Sequence, residues 1–230
     1  MLRQRLGLLE NFLTSYNIGA VKNTPDIFQP EPGTLTIVDL TDTFIDKAFA
    51  CTLFGICLDI FNQRHVARVT KSADDGFKSG IILTCDEAHK YLDDSDAAQA
   101  FTERLIKLVR EQRHYGARVV VATQDPTISG SLLGLCNTSI VHRFNDPAWF
   151  SVLRAHLAGA SLATLSDIEQ NELFGEIVGL HAGEAYVFSP SSYVCVDDDD
   201  EVKRLDSGLL KVKTRLRLTH DAGESHIASG

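Results

Sequence analysis

The stretch that decides the fold is Gly80-Ile-Ile-Leu-Thr-Cys-Asp86-Glu87-Ala-His89. Its first half is apolar and β-prone, which is typical of a buried strand, and two adjacent carboxylates end it. A carboxylate at the carboxyl end of a parallel strand lies at the edge where α/β sheets bind their ligands. There Asp86 would hold Mg²⁺ through water, and Glu87 would orient and deprotonate an attacking water. The alternative is a strand that ends in two ordinary surface acids.

A second apolar run, Ala117–Thr123, is followed by Gln124, which comes 37 residues after Glu87. Because the carboxyl ends of parallel strands meet at one edge of a sheet, we expect Gln124 to lie on the same edge as Glu87. A neutral amide there can hydrogen-bond both a terminal phosphate and a water molecule. The alternative is a strand that ends in a polar turn at Asp125-Pro126.

The loop that normally cradles nucleotide phosphates, G-x-x-x-x-G-K-[ST], does not occur in the 230 residues. The nearest string, Gly19-Ala-Val-Lys22-Asn-Thr24, lacks the second glycine and the spacing. The sequence therefore predicts the hydrolytic side of a nucleotide site without the side that grips the phosphates.

Strand and helix patterns alternate along the middle of the chain, which predicts an α/β fold with a mainly parallel sheet and helices on both faces. A strand is expected over 34–40, and a helix from Thr41 or Asp42 to about Gln63, before a polar loop over 64–79. Farther on, Gly183–Ser189 and Tyr193–Val196 favour a short β-hairpin. We expect four divisions: an N-terminal helix and linker (1–33), an α/β core (34–175), a C-terminal β extension (176–218) and a tail (219–230).

Composition indicates an ordinary globular protein, with 44% hydrophobic and 23% charged residues. The net charge of −9 argues against a broad basic surface for nucleic acid. Five scattered cysteines without a C-x-x-C pair favour a reducing, intracellular compartment, cytoplasmic or nuclear. No apolar run is long enough to suggest a secretory signal or a membrane span.

Five strings occur in one order that resembles the HerA/FtsK branch of P-loop ATPases, the hexameric DNA-pumping motors. The resemblance covers about residues 34–190, and the first string is the family's Walker B strand. The strings are Ile81-Ile-Leu-Thr-Cys-Asp-Glu-Ala-His89, Arg110-Glu-Gln-Arg-His-Tyr-Gly116, Val121-Ala-Thr-Gln-Asp-Pro126, Cys136-Asn-Thr-Ser-Ile-Val-His-Arg143 and Gly179-Leu-His-Ala-Gly-Glu-Ala185. The letters Asp-Glu-Ala-His also occur in superfamily 2 helicases, but those follow them with a Ser-Ala-Thr strand end, whereas this chain has Ala122-Thr123-Gln124.

The resemblance implies an ATP-driven ring with ATP and Mg²⁺ as cofactors. By this resemblance Asp86 and Glu87 are the Walker B pair, in which Asp86 binds the metal ion. Gln124 takes the position of the family's sensor residue. Arg113 matches an arginine that family members point at the γ-phosphate. Arg113 also ends a helix just before the Gln124 strand, from where a guanidinium is expected to reach the same edge. The alternative for Arg113 is a cation that complements a helix C-terminus.

The chain departs from this family because the first strand and its phosphate loop are missing. Three explanations stay open: the C-terminal part of a split or mis-annotated ATPase, a degenerate copy with a new binding role, or a site completed by a partner. The expected partners are copies of the chain or a full-length ATPase, with DNA by resemblance. A non-catalytic interaction module is the main alternative, and an enzyme of another class that uses Asp86 and Glu87 with a metal is a third.

Overall fold

The computed structural model describes residues 33–40, 45–72, 80–156, 166–196, 201–206 and 208–215. Five helices, a 3-10 turn and seven strands follow one another in this part of the chain. In order they are α1 (Lys47–Ser72), β1 (Ile81–Cys85), the 3-10 turn (Ala88–Lys90), α2 (Asp96–Tyr115), β2 (Ala117–Val121), α3 (Gly130–Leu133), β3 (Ser139–Val141), α4 (Pro147–His156), α5 (Asp167–Val178), β4 (Glu184–Phe188), β5 (Tyr193–Val196), β6 (Glu201–Arg204) and β7 (Leu210–Lys213).

Strands β1 and β2 form a parallel pair joined by helix α2. Their register runs from Ile81 opposite Ala117 to Cys85 opposite Val121. Helix α2 ends at Gly116, whose φ of 62° lies in the left-handed region that glycine adopts without strain. The chain can therefore turn at once from the helix into β2. This βαβ unit confirms the predicted α/β class.

Helices α1 and α2 cover one face of the parallel pair. Alternate residues of the strands, including Ile81, Cys85 and Ala117, point into this layer and are buried. They join a core whose members on α1 and α2 are Cys51, Leu58, Ala98, Phe101, Leu105 and Leu108. Burying a side chain such as Leu105 contributes roughly 1.5–3 kcal/mol, so this layer accounts for much of the stability of the unit.

The other face of the parallel pair is open to solvent. Ile82 is 71% exposed and Val120 is 48% exposed. Parallel sheets are normally covered on both faces, and the sequence predicts such a cover. In the described ranges, only the face toward α1 and α2 is covered.

A second core lies among the later elements. Strand β4 pairs antiparallel with β3 and with β7, so the order of this sheet is β3-β4-β7. Helices α4 and α5 pack on it through Phe150, Leu153, Leu173, Ile177, Tyr186 and Phe188. Helix α5 is absent from the sequence-based expectations although its start was readable: Ser166 and Glu169 form a capping box.

Three expectations about secondary structure are wrong in the described part. Residues 34–40 form no strand, and Leu35 is 84% exposed there. Strands β4 and β5 form no hairpin, since β3 and β7 take both edges of β4 and β5 pairs with β6 instead. Helix α1 begins later than expected and continues to Ser72, through part of the predicted loop.

The predicted N-terminal helix and linker (1–33) lies outside the described residues except for Gly33, and so does the predicted tail (219–230). Within the described ranges, no helix combines the length and the apolar character needed to cross a membrane.

Candidate functional site

Asp86 and Glu87 directly follow β1, in a tight turn that is fixed by the neighbouring strand. The Ala122 amide donates to the Cys85 carbonyl at 2.8 Å, and the Ala88 amide donates to the Ala122 carbonyl at 3.0 Å. Backbone hydrogen bonds therefore link the end of β2 to the residue before the two acids and to the residue after them. This places Asp86 and Glu87 at the carboxyl edge of the parallel pair, as predicted.

The Glu87 carboxylate is engaged through both of its oxygens. Oε1 accepts a hydrogen bond from Nε2 of Gln124 at 2.6 Å. Oε2 lies 3.6 Å from Nε2 of His89 and 3.6 Å from Nζ of Lys90. The structure thus brings together Glu87 and Gln124, two residues that the sequence had assigned to one edge from separate strands.

Asp86 is exposed, and only one of its carboxylate oxygens has a hydrogen bond in the described structure. Oδ1 accepts from the Glu87 amide at 2.9 Å, which leaves Oδ2 for another ligand. Carboxylate oxygen suits Mg²⁺, which is typically bound through one or two carboxylates together with phosphates and water. Among the described residues, no group of three or more His, Cys, Asp or Glu side chains could hold a metal ion. Oδ2 of Asp86 is the carboxylate oxygen that such an ion could contact at this edge.

Glu87 has an unusual backbone conformation. Its φ of 50° and ψ of 41° are left-handed, and in the described part it shares a positive φ with just one other non-glycine residue, Asp206. This conformation costs an L-residue roughly 1–2 kcal/mol. Such strain is concentrated at functional sites, where the surrounding structure maintains it for the sake of the geometry.

The left-handed backbone of Glu87 leads to a prediction about folding stability, which can be tested without an activity assay. Glu87→Gly is expected to be more stable to denaturant than Glu87→Ala by about 1 kcal/mol, because both lose the carboxylate but only glycine adopts the left-handed conformation freely. Urea unfolding followed by circular dichroism measures the difference. As a matched control, Glu103 is an exposed residue inside helix α2, where glycine should instead be less stable than alanine by about 1 kcal/mol. Equal stability of the two Glu87 variants would contradict the assignment of strain.

Arg113 does not lie at this edge, and the expectation that it reaches the Gln124 edge within the chain is wrong. It occupies the last turn of α2, which leads into the first residue of β2. That end of β2 is the amino edge, since the Ile81 amide donates to the Gly116 carbonyl at 3.2 Å. The five-residue strand separates the two edges by roughly 16 Å. Helix α2 connects the carboxyl end of β1 to the amino end of β2, so it runs antiparallel to both strands. Its last turn, with Arg113, therefore lies at the amino edge.

Tyr91 is a site residue that the sequence did not reveal. Its hydroxyl donates to the Asp86 carbonyl, and its ring packs on Phe54 with centroids 5.0 Å apart. Burial, with the nearby negative groups including Asp86 and Glu87, raises the pKa of Tyr91 well above its usual value. Its hydroxyl therefore keeps its proton and acts as a donor. Nothing in the spacing of the sequence indicates this contact, because it depends on the path of the 3-10 turn.

Cys85, the residue before the two acids, is no candidate nucleophile. Burial raises the pKa of its thiol to about 11, which keeps it protonated at neutral pH. The polar groups at this edge include the carboxylates of Asp86 and Glu87 and the amide of Gln124.

No protein-family model matches the chain, and no curated protein matches it. Similar solved structures include the genome packaging NTPase B204 from Sulfolobus turreted icosahedral virus 2. Its complex with AMPPCP has a TM-score of 0.44 and 13% identity, over 76% of this chain and 65% of that chain. Its complex with ATP-gammaS has a TM-score of 0.43 and 13% identity, with the same coverage. Its complex with AMP has a TM-score of 0.40 and 13% identity, over 66% of this chain and 60% of that chain.

The chain thus spans about 65% of the length of that NTPase. Similarity at this level carries no argument about activity. The α/β class rests on the strands and helices of the chain itself.

Proposed function

We propose that this chain supplies the water-activating side of an ATPase of the HerA/FtsK type. The observation that carries the proposal is the 2.6 Å hydrogen bond between Gln124 and a strained Glu87 at the carboxyl edge of a parallel βαβ unit. A surface strand that merely ended in acids would need neither the left-handed glutamate nor the amide from the next strand. The ordered strings that resemble this family support the same assignment.

Each residue has a role that follows from its position. Asp86 would hold Mg²⁺, which when bound neutralises phosphate charge in this class of reaction. Glu87 would accept a proton from the attacking water. Gln124 would exchange its bond to Glu87 for a bond to the terminal phosphate, which frees Oε1 to receive that proton. Under this proposal, the hydrogen bond from Gln124 to Oε1 of Glu87 would belong to the resting state of the site.

The phosphate-gripping side would come from outside these 230 residues. We propose that a strand–loop–helix unit with a phosphate-binding loop adds to the β1–β2 pair and covers its open face. The exposed side chains of Ile82 and Val120 provide an apolar surface for such a unit. A two-stranded sheet with one bare face is incomplete as a parallel sheet. The unit belongs either to a longer form of this chain or to a full-length ATPase partner.

A ring of copies is part of this proposal. Arg113 lies away from the carboxyl edge of its own sheet, so it would stabilise transferred phosphate charge only in the site of an adjacent copy. DNA as the moved substrate follows from the resemblance alone.

The test is ATP hydrolysis by the chain and by a completed form. The transcript upstream of Met1 is read, and any in-frame extension with G-x-x-x-x-G-K-[ST] is expressed together with the chain. We expect magnesium-dependent phosphate release from the extended form, and its loss in Gln124→Ala. The matched control is Gln99→Ala, which removes an exposed amide from helix α2 and should leave turnover unchanged. An extended form without hydrolysis would overturn the proposal.

The second candidate is a non-catalytic interaction module. The open face at Ile82 and Val120 favours it as much as it favours the ATPase, since a binding module needs only that surface. The two candidates differ at Glu87 and Gln124, which a binding module does not require. If an upstream phosphate-binding loop is absent, and the chain forms a stable complex with an ATPase whose turnover is unchanged by Glu87→Gln and Gln124→Ala in this chain, the protein is an interaction module and not part of the enzyme.

A further inference from the structure

Tyr91 connects the helical layer to the two acids through four separate contacts. Its hydroxyl donates to the Asp86 carbonyl, and its ring packs on Phe54 at 5.0 Å and on Phe101 at 6.0 Å. Its own carbonyl accepts a hydrogen bond from the Cys51 thiol at 3.6 Å. Phe54 and Cys51 belong to helix α1, so the side chain that reaches the acids is anchored on that helix.

The hydrogen bond from Tyr91 to the Asp86 carbonyl affects both acids. The carbonyl and the following amide belong to one planar peptide group, so fixing one fixes the other. That amide is the Glu87 N–H, which donates to Oδ1 of Asp86 at 2.9 Å. One hydroxyl therefore fixes the peptide that joins the two acids, orients the Asp86 carboxylate and sets the entry into the left-handed Glu87.

The ring of Tyr91 contributes packing, whereas its hydroxyl contributes a hydrogen bond. The ring fills the space between Phe54 and Phe101, and a phenylalanine would fill it equally well. The hydroxyl adds nothing to that packing, and burying it is unfavourable unless it finds a hydrogen-bond acceptor. Its presence is explained by what it orients.

A second link anchors the same loop to helix α1. Lys47, in the first turn of that helix, forms an ion pair with Asp93, two residues after Tyr91. Although partial burial opposes ionisation, hydrogen bonds from Lys47 and Ser95 hold the pKa of Asp93 below its usual value. Asp93 thus stays charged at neutral pH, and the loop that carries Tyr91 is attached to α1 at two points.

We propose that Tyr91 is a positioning residue whose hydroxyl holds the Asp86–Glu87 peptide and so aims both carboxylates at the carboxyl edge of the sheet. The geometric part concerns the chain alone, and the catalytic consequence rests on the proposed ATPase function.

The test uses Tyr91→Phe in the full chain, with Tyr193→Phe as the matched control, because Tyr193 is 68% exposed on β5 and away from the acids. The first readout is the set of amide resonances in a ¹⁵N NMR spectrum. In Tyr91→Phe we expect the Glu87 and Ala88 amides and the Gln124 side-chain amide to shift, and the Glu87 amide to exchange roughly 10-fold faster. The midpoint of thermal unfolding should fall by no more than roughly 2–4 °C.

A purely structural tyrosine would give the opposite pattern. The melting temperature would drop while the amides of Glu87 and Gln124 stayed in place, and that result overturns the proposal. The second readout applies to the completed enzyme, where kcat should fall roughly 10–100-fold with KM for ATP unchanged. If no completed form hydrolyses ATP, the proposed function fails, but the NMR readout still decides whether Tyr91 positions the acids. Unmoved Glu87 and Gln124 signals refute the inference even in an active enzyme.

Discussion

Replacing Glu87 by glutamine is expected to lower ATP turnover of the completed enzyme by roughly 10²–10⁴-fold, the usual worth of a positioned general base. The substitution preserves shape and keeps an oxygen that can accept the bond from Gln124. What it removes is the ability to take a proton from water. ATP affinity should stay near that of the parent protein, so the variant should accumulate in the ATP-bound state.

Asp86→Asn separates the roles of the two neighbours. Asp86 would hold the metal, so its variant should weaken binding of Mg·ATP itself, whereas Glu87→Gln should leave binding intact. Steady-state phosphate release and equilibrium nucleotide binding are measured on both variants. Glu172→Gln, an exposed position on helix α5, is the control for loss of one surface charge. Near-normal turnover in Glu87→Gln would remove Glu87 from catalysis and make the strand with its two acids a coincidence.

The part of the site that could be predicted from sequence is the part that follows from topology. Glu87 and Gln124 each follow an apolar run that is long enough for one buried strand. Because parallel strands end at the same edge, the sequence predicts both residues at one edge of the sheet, and the structure places them there; their 2.6 Å hydrogen bond was not predicted. The shared edge was predictable because the two strands are close in the chain, with helix α2 between them.

Residues 34–40 show where strand patterns mislead. Leu35 and Ile37 alternate with polar residues as in a strand, yet both are exposed and unassigned to any sheet. Strand preference describes how a segment fits beside a neighbour, so it has no effect where the neighbour is not present. The hairpin predicted at β4 and β5 failed for the converse reason, because β4 had better neighbours on both sides.

Arg113 shows a different limit. Its distance in sequence from Gln124 is short, but a helix that crosses over a parallel pair returns the chain to the opposite edge. Proximity in sequence is therefore misleading for residues just before a strand. The left-handed Glu87 and the Tyr91 hydrogen bond were also beyond prediction, because both arise from the path of one 3-10 turn.

The 230-residue chain by itself is expected to bind Mg·ATP no more tightly than the millimolar range, a free energy of about −4 kcal/mol. The described site is acidic and open: Asp86 is exposed, and the Glu87 carboxylate already pairs with Gln124, His89 and Lys90. Phosphate groups are normally held by a cradle of backbone amides and a lysine, which the missing loop would supply.

Isothermal titration calorimetry of the chain with Mg·ATP measures this directly. The matched comparison is the completed form, where the added amides and lysine should bring the affinity to at least the micromolar range, a gain of roughly 1,000-fold or about 4 kcal/mol. Glu87→Gln serves as an internal check in both forms, because a base that acts only on water should leave these affinities unchanged. Micromolar binding by the chain alone would contradict the prediction, since it would require a phosphate site that the 230 residues build without the loop.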